Sequence, residues 1–202
     1  DRTRGKVWTA AIDCDWSNGD NWSPLGIPLP GDTIIISPLA QCPLVIPPGT
    51  SVGTISIASQ ETVFVSSGTF AVSGDVVING TLTVAPQDSP TITVSGNWYN
   101  AGTTFHPGKS TVTFSGNKQK TINKTTFYNL IIDTSGTVST TASITILNSM
   151  TVRDTLDAQG DTINVSNPDP NAISGLGIIK EGTIKRTLYQ GSTACYYFES
   201  GN

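Results

Sequence analysis

Apolar and polar residues alternate along most of this chain, in short segments separated by Gly, Asn, Asp, Ser or Pro. Alternation with a period of two is the pattern of a β-strand with one buried face, and the separating residues are typical of turns. No window shows a helical period, and the abundant Val, Ile and Thr disfavour helix because they are stiff at χ1. The pattern predicts an all-β chain with these strands: Thr33–Ser37, Leu44–Ile46, Thr54–Ile57, Thr62–Val65, Thr69–Val72, Asp75–Ile78, Thr81–Val84, Thr91–Val94, Thr104–Phe105, Thr111–Phe114, Phe127–Ile132, Ile144–Leu147, Met150–Val152 and Thr162–Val165.

A repeated segment indicates how these strands are arranged. Three similar stretches align on Gly74, Gly96 and Gly116, which lie 22 and 20 residues apart. A repeat of this length is one supersecondary unit that buries its apolar face only by stacking on copies of itself. We therefore expect a right-handed parallel β-helix, or β-solenoid, of five or six turns. A β-sandwich is the alternative, since it also has many short strands, but it has no reason to repeat the same turn.

The ends of the chain differ from this repeating part. Trp8, Trp16 and Trp22 are three of the four tryptophans and lie in a segment rich in turns. We expect residues 1–32 to form an N-terminal cap, because a solenoid needs a terminal cap over its first turn. Residues 33–175 are then the β-solenoid turns. Residues 176–202 are a C-terminal β extension with two alternating, aromatic-rich strands.

The three cysteines suggest an oxidising compartment. Cys14 and Cys42 lie on either side of a loop rich in Pro and Gly, which a disulfide would close, and three unrelated thiols are the alternative. Such a bond would add about 3 kcal/mol by restricting the unfolded chain. Cys195 is left without a partner, which suggests a contact with another subunit or a following segment. The chain starts at Asp1 without Met, so either a secretory leader was removed or the sequence was trimmed.

Composition excludes some partners. A net charge of −4, with 11 Lys and Arg residues against 15 Asp and Glu, argues against a nucleic-acid backbone as ligand. No apolar run approaches the roughly 18 residues of a membrane span. We therefore expect a protein that is secreted, extracellular or attached to a cell surface.

Several motifs resemble those of β-solenoid (parallel β-helix) modules in secreted and surface-attached bacterial proteins. The segment from Trp8 to Ile36 reads Asp-Trp-Ser-Asn-Gly-Asp-Asn-Trp-Ser-Pro and then Gly-Ile-Pro-x-Pro-Gly-Asp-Thr-Ile-Ile-Ile, like the opening of these modules. The stretches that begin at Gly96, Thr111 and Thr126 are similar to their internal turns, and Gly182-Thr-Ile-Lys-Arg to the segment that precedes a further β-sandwich. The resemblance implies a structural or adhesive module and no catalytic residues. Such modules occur in adhesins, surface-layer-like proteins and filaments, and as spacers beside enzymes.

The N-terminal segment holds a cluster of oxygen-bearing side chains. Asp13, Asp15, Asn18 and Asp20 fall within eight residues, which is a set that a structural Ca²⁺ ion accepts. The spacing is not that of an EF-hand, and Asx turns that satisfy the backbone are the alternative. Apart from this ion, the sequence predicts no cofactor.

The sequence offers little for catalysis. His106 is the only histidine and sits in a Phe-His-Pro-Gly turn, where we expect an exposed residue without a catalytic role. No nucleophile elbow is present. Alignment of Trp98 with Val76 predicts that Trp98 is buried and Tyr99 faces outward, where Tyr99 would contact a glycan. The chain is not expected to be an enzyme, although a fragment of a polysaccharide lyase or hydrolase is a third reading.

These observations predict an extracellular structural protein, which is a subunit of a filament or surface layer, or an adhesin stalk. We expect self-association into a homopolymer through strand edges, or continuation into a following domain. The contact residues would be Cys195, Tyr196, Tyr197 and Phe198. A non-catalytic carbohydrate-binding module or a spacer of a larger secreted protein is the alternative, with a polysaccharide as ligand.

Overall fold

A computed structural model describes residues 5–38, 40–101, 104–187 and 193–198, and for Thr187 and residues 193–198 it describes the backbone alone. Two 3₁₀ turns, Gly19–Asn21 and Pro170–Ala172, are the helical elements of this part of the chain. The strands are β1 Gly5–Trp8, β2 Trp22–Ser23, β3 Thr33–Ile36, β4 Leu44–Ile46, β5 Thr50–Val52, β6 Ile55–Ile57, β7 Thr62–Val65, β8 Thr69–Val72, β9 Val76–Ile78, β10 Thr81–Val84, β11 Thr91–Val94, β12 Trp98–Asn100, β13 Phe105–His106, β14 Thr111–Gly116, β15 Lys120–Ile122, β16 Thr126–Thr134, β17 Thr137–Thr140, β18 Ile144–Val152, β19 Thr155–Asp157, β20 Thr162–Val165, β21 Ile173–Ser174, β22 Ile178–Lys180, β23 Gly182–Thr187 and β24 Thr193–Phe198.

The strands stack into a parallel β-solenoid of about eight turns. Sheet A has the order β2-β1-β3-β6-β9-β12-β15-β17-β19-β22, sheet B the order β13-β10-β7-β4, and sheet C the order β24-β23-β20-β18-β16-β14-β11-β8-β5, with β21 beside β18. Among the described strand pairs, only β1–β2 and β23–β24 run antiparallel. This confirms the solenoid over the β-sandwich.

The number of turns is larger than the five or six predicted from the sequence. The sequence pattern did not predict four later strands of sheet A, β15, β17, β19 and β22. Strands β15, β17 and β19 each hold a single apolar residue, so their alternation is too weak to predict a strand. Each is held in the ladder by the strands before and after it in the stack, which a reading of one segment does not reveal.

The core is built from the inward residues of successive turns. In sheet A the ladder pairs Ile34 with Ile55, Ile55 with Val76, and Val76 with Trp98, and all four side chains are fully buried. Each buried side chain of this size contributes about 1.5–3 kcal/mol from the apolar area that it removes from water. The buried faces of successive strands therefore form one continuous core along the solenoid.

The corner between sheets C and A requires glycine. A Cβ on Gly74 would lie 2.5 Å from the Thr54 hydroxyl and 2.8 Å from the Gly53 carbonyl. A Cβ on Gly96 would collide with the Gly74 carbonyl and lie 2.5 Å from a carboxylate oxygen of Asp75. The first two repeats of the sequence thus mark a corner where successive turns approach too closely for a side chain.

The solenoid changes its cross-section between β13 and β16. Sheet B ends at β13, and the next strand at this position, β16, belongs to sheet C. Both β16 and β18 are nine residues long and run across what were two separate faces in earlier turns, with a register shift between Phe127 and Asn129. Residues 126–127 pair with β18 and not with β13. The ladder of this face is therefore interrupted at one level.

An aromatic cluster fills the core at this interruption. The Trp98 ring lies 4.9 Å from that of Phe105 and 5.5 Å from that of Phe127, and Phe114 lies 6.4 Å from Phe127. These centroid distances and the tilted or edge-on arrangements are favourable for aromatic pairs. Side chains thus connect the turns where the backbone ladder does not.

Parallel stacking extends on both sides of the 33–175 range. Strand β1 pairs in parallel with β3, while β22 and β23 continue the stack on β19 and β20. An antiparallel strand follows at each end, β2 against β1 and β24 against β23. Within the described residues, no helix has the length and apolar character needed to cross a membrane.

Candidate functional site

The N-terminal cap is closed by the predicted disulfide. Cys14 and Cys42, which are 28 positions apart in sequence, are bonded, with their Cα atoms 5.9 Å apart. Trp8 and Trp22 are buried, Trp16 packs edge-on against Trp22, and the Trp8 indole donates a hydrogen bond to the Cys42 carbonyl at 3.1 Å. The tryptophans therefore cover the first turn, as a cap must.

A buried lysine holds the loop that follows β2. The Lys6 ammonium donates to the carbonyl oxygens of Pro24, Leu25 and Gly26 at 2.8, 2.9 and 2.8 Å. An ammonium has three donors, so this arrangement satisfies all of them without a carboxylate. The sequence pattern alone gives no signal for this role of Lys6.

The residues of the predicted calcium cluster lie together in the cap, and three of them, Asp13, Asp15 and Asn18, use side-chain oxygens in Asx turns. Asp13 accepts from the Asp15 backbone N–H at 2.9 Å and from the Asn18 amide at 2.9 Å. Asp15 accepts from the Ser17 N–H, and Asn18 from the Asp20 N–H. The hydrogen bond from Asn18 is the main cause that lowers the pKa of Asp13, followed by those from Asp15 and Asn21. The structure therefore contains the Asx turns that were the alternative to a calcium site.

Calcium itself remains a prediction. Among the described residues, no three His, Cys, Asp or Glu side chains come together as a metal site. Asp13 also bonds the buried Asn21, whose amide donates to Asp13 at 2.5 Å and to the Asp15 carbonyl at 3.0 Å. Asn21 thus organises the loop from within, a residue that sequence reasoning did not single out.

Tyr99 has the orientation that the repeat alignment predicts. Trp98 pairs with Val76 in the ladder and is fully buried, whereas Tyr99 is 43% exposed on the outer face of sheet A. Its neighbour in that outward row is Val77. The structure thus confirms its orientation, and glycan contact stays a prediction.

The predicted C-terminal contact residues lie on β24. Its backbone pairs Cys195 with Lys185, Tyr196 with Ile184, Tyr197 with Thr183 and Phe198 with Gly182. Their side chains lie outside the described part of the chain. Two apolar side chains near the same end are open to solvent, Leu176 at 100% and Ile178 at 60% exposure.

A cleft opens at the interruption between β13 and β16. Its volume is about 290 Å³, and it is lined by Asn100, Phe105, His106, Pro107, Lys124, Thr125, Thr126, Ser143 and Thr145. His106 is exposed, as predicted, but it is the last residue of strand β13 and not part of the turn that follows. The sequence analysis identified none of the other lining residues, because the cleft arises from where one sheet stops.

A second, open groove of about 320 Å³ follows the glycine corner. Asp75 accepts from the Asn97 backbone and side chain at 2.7 and 3.1 Å, and Asn97 in turn accepts from the Thr121 backbone at 2.9 Å. Carboxylate and amide oxygens here satisfy backbone donors of the next turn. This groove is therefore part of the corner structure.

Lys120 is an unexpected core residue. Its side chain is 1% exposed, and its ammonium donates to the Lys118 carbonyl at 2.7 Å and to the Thr134 hydroxyl at 2.9 Å. Burial, and secondarily the charge of Lys118, lowers the pKa of Lys120. The Thr134 hydroxyl donates to the Gly116 carbonyl, so the group joins three segments of the core.

Comparison of the chain with family models, with curated proteins and with solved structures found no match. The functional argument therefore rests on the geometry of the cap, the two ends and the cleft.

Proposed function

We propose that this protein is an extracellular structural module, a stiff subunit of a filament or surface layer or a stalk of an adhesin. The observation that carries the proposal is the uninterrupted ladder of sheet A. Nine strands from β1 to β22 lie parallel, each bonded to the next. Such a ladder resists bending because each turn is held by backbone hydrogen bonds to the turns on either side.

The two ends of the ladder support assembly in one direction. At the N-terminal end, β2 and the disulfide-closed tryptophan cap cover β1. At the opposite end, β22 has no strand partner on its outer side among the described residues, and Ile178 on it is largely exposed. An open strand edge with apolar side chains favours pairing with another chain. We propose that a second copy, or a following domain, occupies this end.

The extracellular location is part of the same proposal. A structural disulfide persists in oxidising compartments and is rare in the cytosol. The Cys14–Cys42 bond closes the cap, so oxidising conditions stabilise the end on which the solenoid depends. Secretion supplies those conditions.

Size-exclusion chromatography with light scattering, together with electron microscopy, tests the assembly. We expect concentration-dependent, elongated multimers of the purified chain. Ile178→Lys should reduce them, because a charge on the edge strand opposes pairing. Leu147→Lys is the matched control, since Leu147 is an exposed aliphatic residue on β18, away from both ends. A chain that stays monomeric at high concentration, with a Cys195 thiol that titrates as free, would contradict self-assembly.

A second candidate function is carbohydrate binding, and the outward orientation of Tyr99 favours it. An exposed aromatic ring on a rigid sheet offers a flat, apolar surface to a sugar ring. Glycan-array binding that is lost in Tyr99→Ala and kept in Phe64→Ala would support this function. Phe64 is the matched control because it is an equally exposed aromatic residue on a different sheet.

A further inference from the structure

The cleft between β13 and β16 is the one place in the described turns where a strand of sheet B has no successor in its own sheet. Within the described residues, strand β13 pairs only with β10, and residues 126–127 pair only with β18. Both facing edges therefore lack the strand that would normally cover them. The corner behind the cleft is rigid, because Asn100 and Asn123 exchange two hydrogen bonds of 2.7 and 2.8 Å.

The charged side chain among the described lining residues of the cleft is that of Lys124. Lys124 and His106 are exposed at the rim, and their side chains make no hydrogen bond or ion pair with the described residues. No Asp or Glu is among the described lining residues. In a chain of net charge −4, this is a local site suited to an anion.

The remaining lining groups suit a ligand with hydroxyls. Thr125 is 4% exposed and its hydroxyl oxygen, which has no hydrogen-bond partner, is buried beneath the surface of the cleft. Asn100 is 3% exposed; its amide oxygen accepts from the Thr104 hydroxyl at 2.6 Å and its amide nitrogen donates to the Lys124 carbonyl at 3.5 Å. Thr126, Ser143 and Thr145 are partly or fully exposed, so their hydroxyls form the wall that a ligand can reach.

Phe105 lies beneath the cleft, where it is 4% exposed and packs against Trp98 and Phe127, with ring centroids 4.9 and 6.1 Å away. The partly exposed Pro107 supplies apolar surface at the rim. A sugar ring presents an apolar face and a rim of hydroxyls, so it matches this combination of apolar rim and polar wall. The volume of about 290 Å³ accommodates a small unit and not an added β-strand.

We propose that this cleft binds one acidic sugar unit, with its carboxylate on Lys124 and His106 and its hydroxyls on those of Thr126, Ser143 and Thr145. The site lies on a side of the solenoid, away from both ends, so it is independent of the proposed assembly. Binding here gives the module a defined contact with an acidic polysaccharide.

Amide NMR titration of the oxidised, full chain tests the site, with trigalacturonic acid as probe and its fully methyl-esterified, neutral form as the matched comparison. We expect saturable shifts at residues 105–106 and 124–126 with the acid, and at least about tenfold weaker binding of the ester, since a charged hydrogen bond is lost. Monomeric galacturonate should reach the same residues, whereas acetate should not saturate them at the same concentrations. Equal binding of acid and ester, equal saturation by acetate, or shifts confined to other residues would each overturn the proposal.

Two variants sharpen the titration. Lys124→Gln should weaken binding of the acid about tenfold and leave the weak binding of the ester unchanged. Thr145→Val, which keeps the shape and removes a hydroxyl of the wall, should weaken both ligands. Lys109→Gln is the control, because Lys109 is an exposed lysine that does not line the cleft. If Lys124→Gln bound the acid with unchanged affinity, the assignment would be contradicted. An unchanged spectrum outside the cleft shows that the Lys124→Gln variant is folded.

Discussion

The turns before residue 116 and the turns after it stack in the same parallel ladder but are held together differently. The earlier turns have three separate faces, with short strands, aliphatic ladders and glycine corners at Gly74 and Gly96. The later turns merge two faces into the long strands β16 and β18. Polar side chains are buried in both regions, and those of the later turns include Lys120 and Thr140. The aromatic cluster lies between them.

Two kinds of interaction can therefore hold one turn on the next: the backbone ladder of a regular repeat, or side-chain packing in the core. Where the backbone repeats closely, hydrogen bonds of the ladder and tight corners hold the stack, and side chains only fill the interior. Where the ladder of one face stops at β13, four aromatic rings connect the levels in place of the missing pairing. A change at the cluster should therefore cost more than a change on an outer face of the regular turns.

Removal of one ring of the cluster is the largest expected effect. Phe127→Ala should lower the free energy of unfolding by about 3–5 kcal/mol, because the cavity forms where no ladder holds the turns together. Urea denaturation followed by tryptophan fluorescence measures it. Phe64→Ala is the control and should cost below about 1 kcal/mol, because Phe64 is 41% exposed on sheet B. Similar losses in the two variants would remove the distinction between the regions.

A methyl group at the glycine corner is next in size. Gly96→Ala should destabilise the protein by about 1–3 kcal/mol, since the added Cβ collides with the Gly74 backbone and forces the turns apart. Gly5→Ala should be nearly neutral, because the nearest atom to its added Cβ is 4.0 Å away. The same denaturation experiment compares them. If Gly96→Ala left the stability unchanged, the corner would have room for a side chain, contrary to the structure.

The buried lysine of the later turns gives a smaller, pH-dependent effect. The pKa of Lys120 is lowered in the folded state, mainly by burial, from its usual value of 10.5. The unfolded chain then binds more protons between the lowered pKa and 10.5, so this residue should make the protein more stable as the pH rises through that window. The unfolding free energy of wild type relative to Lys120→Met, measured as a function of pH, should increase in that direction. A difference that falls with pH would contradict the lowered pKa.

The smallest expected effect is at the surface of the later turns. Arg153 and Asp133 form an ion pair at 2.6 Å, with side chains 56% and 45% exposed. Exposed pairs contribute little, so a double-mutant cycle of Arg153→Ala and Asp133→Ala should give a coupling below about 1 kcal/mol that diminishes in salt. A coupling comparable to the loss in Phe127→Ala would mean that surface charges, and not the cluster, hold these turns.

The fold was predictable from the sequence where the repeat is regular. Alternation in segments such as Thr91–Val94 and Thr111–Phe114 marked strands, and the alignment of Trp98 with Val76 predicted the buried position of Trp98. The same alignment places Trp98 opposite Lys118, but the ladder pairs it with Ile122. The turn is longer at that corner, and a strict repeat does not show where extra residues are accommodated.

The candidate sites were less predictable because they depend on neighbours that are distant in sequence. The spacing of Cys14 and Cys42 around a turn-rich loop was enough to predict their bond. By contrast, Lys124 and Thr125 line a cleft only because sheet B ends at the two-residue strand β13, which belongs to the preceding turn. Lys120 is polar in sequence and buried in the structure because the Lys118 carbonyl and Thr134 hydroxyl accept its hydrogen bonds.

Cross-strand nuclear Overhauser effects between β11 and β14 test the central claim, parallel stacking of successive turns, most directly. The account predicts contacts in ascending order, Thr91 with Thr111, Ile92 with Val112 and Val94 with Phe114. Contacts in the opposite order, with Thr91 near Phe114 and Val94 near Thr111, would show antiparallel strands and contradict the solenoid.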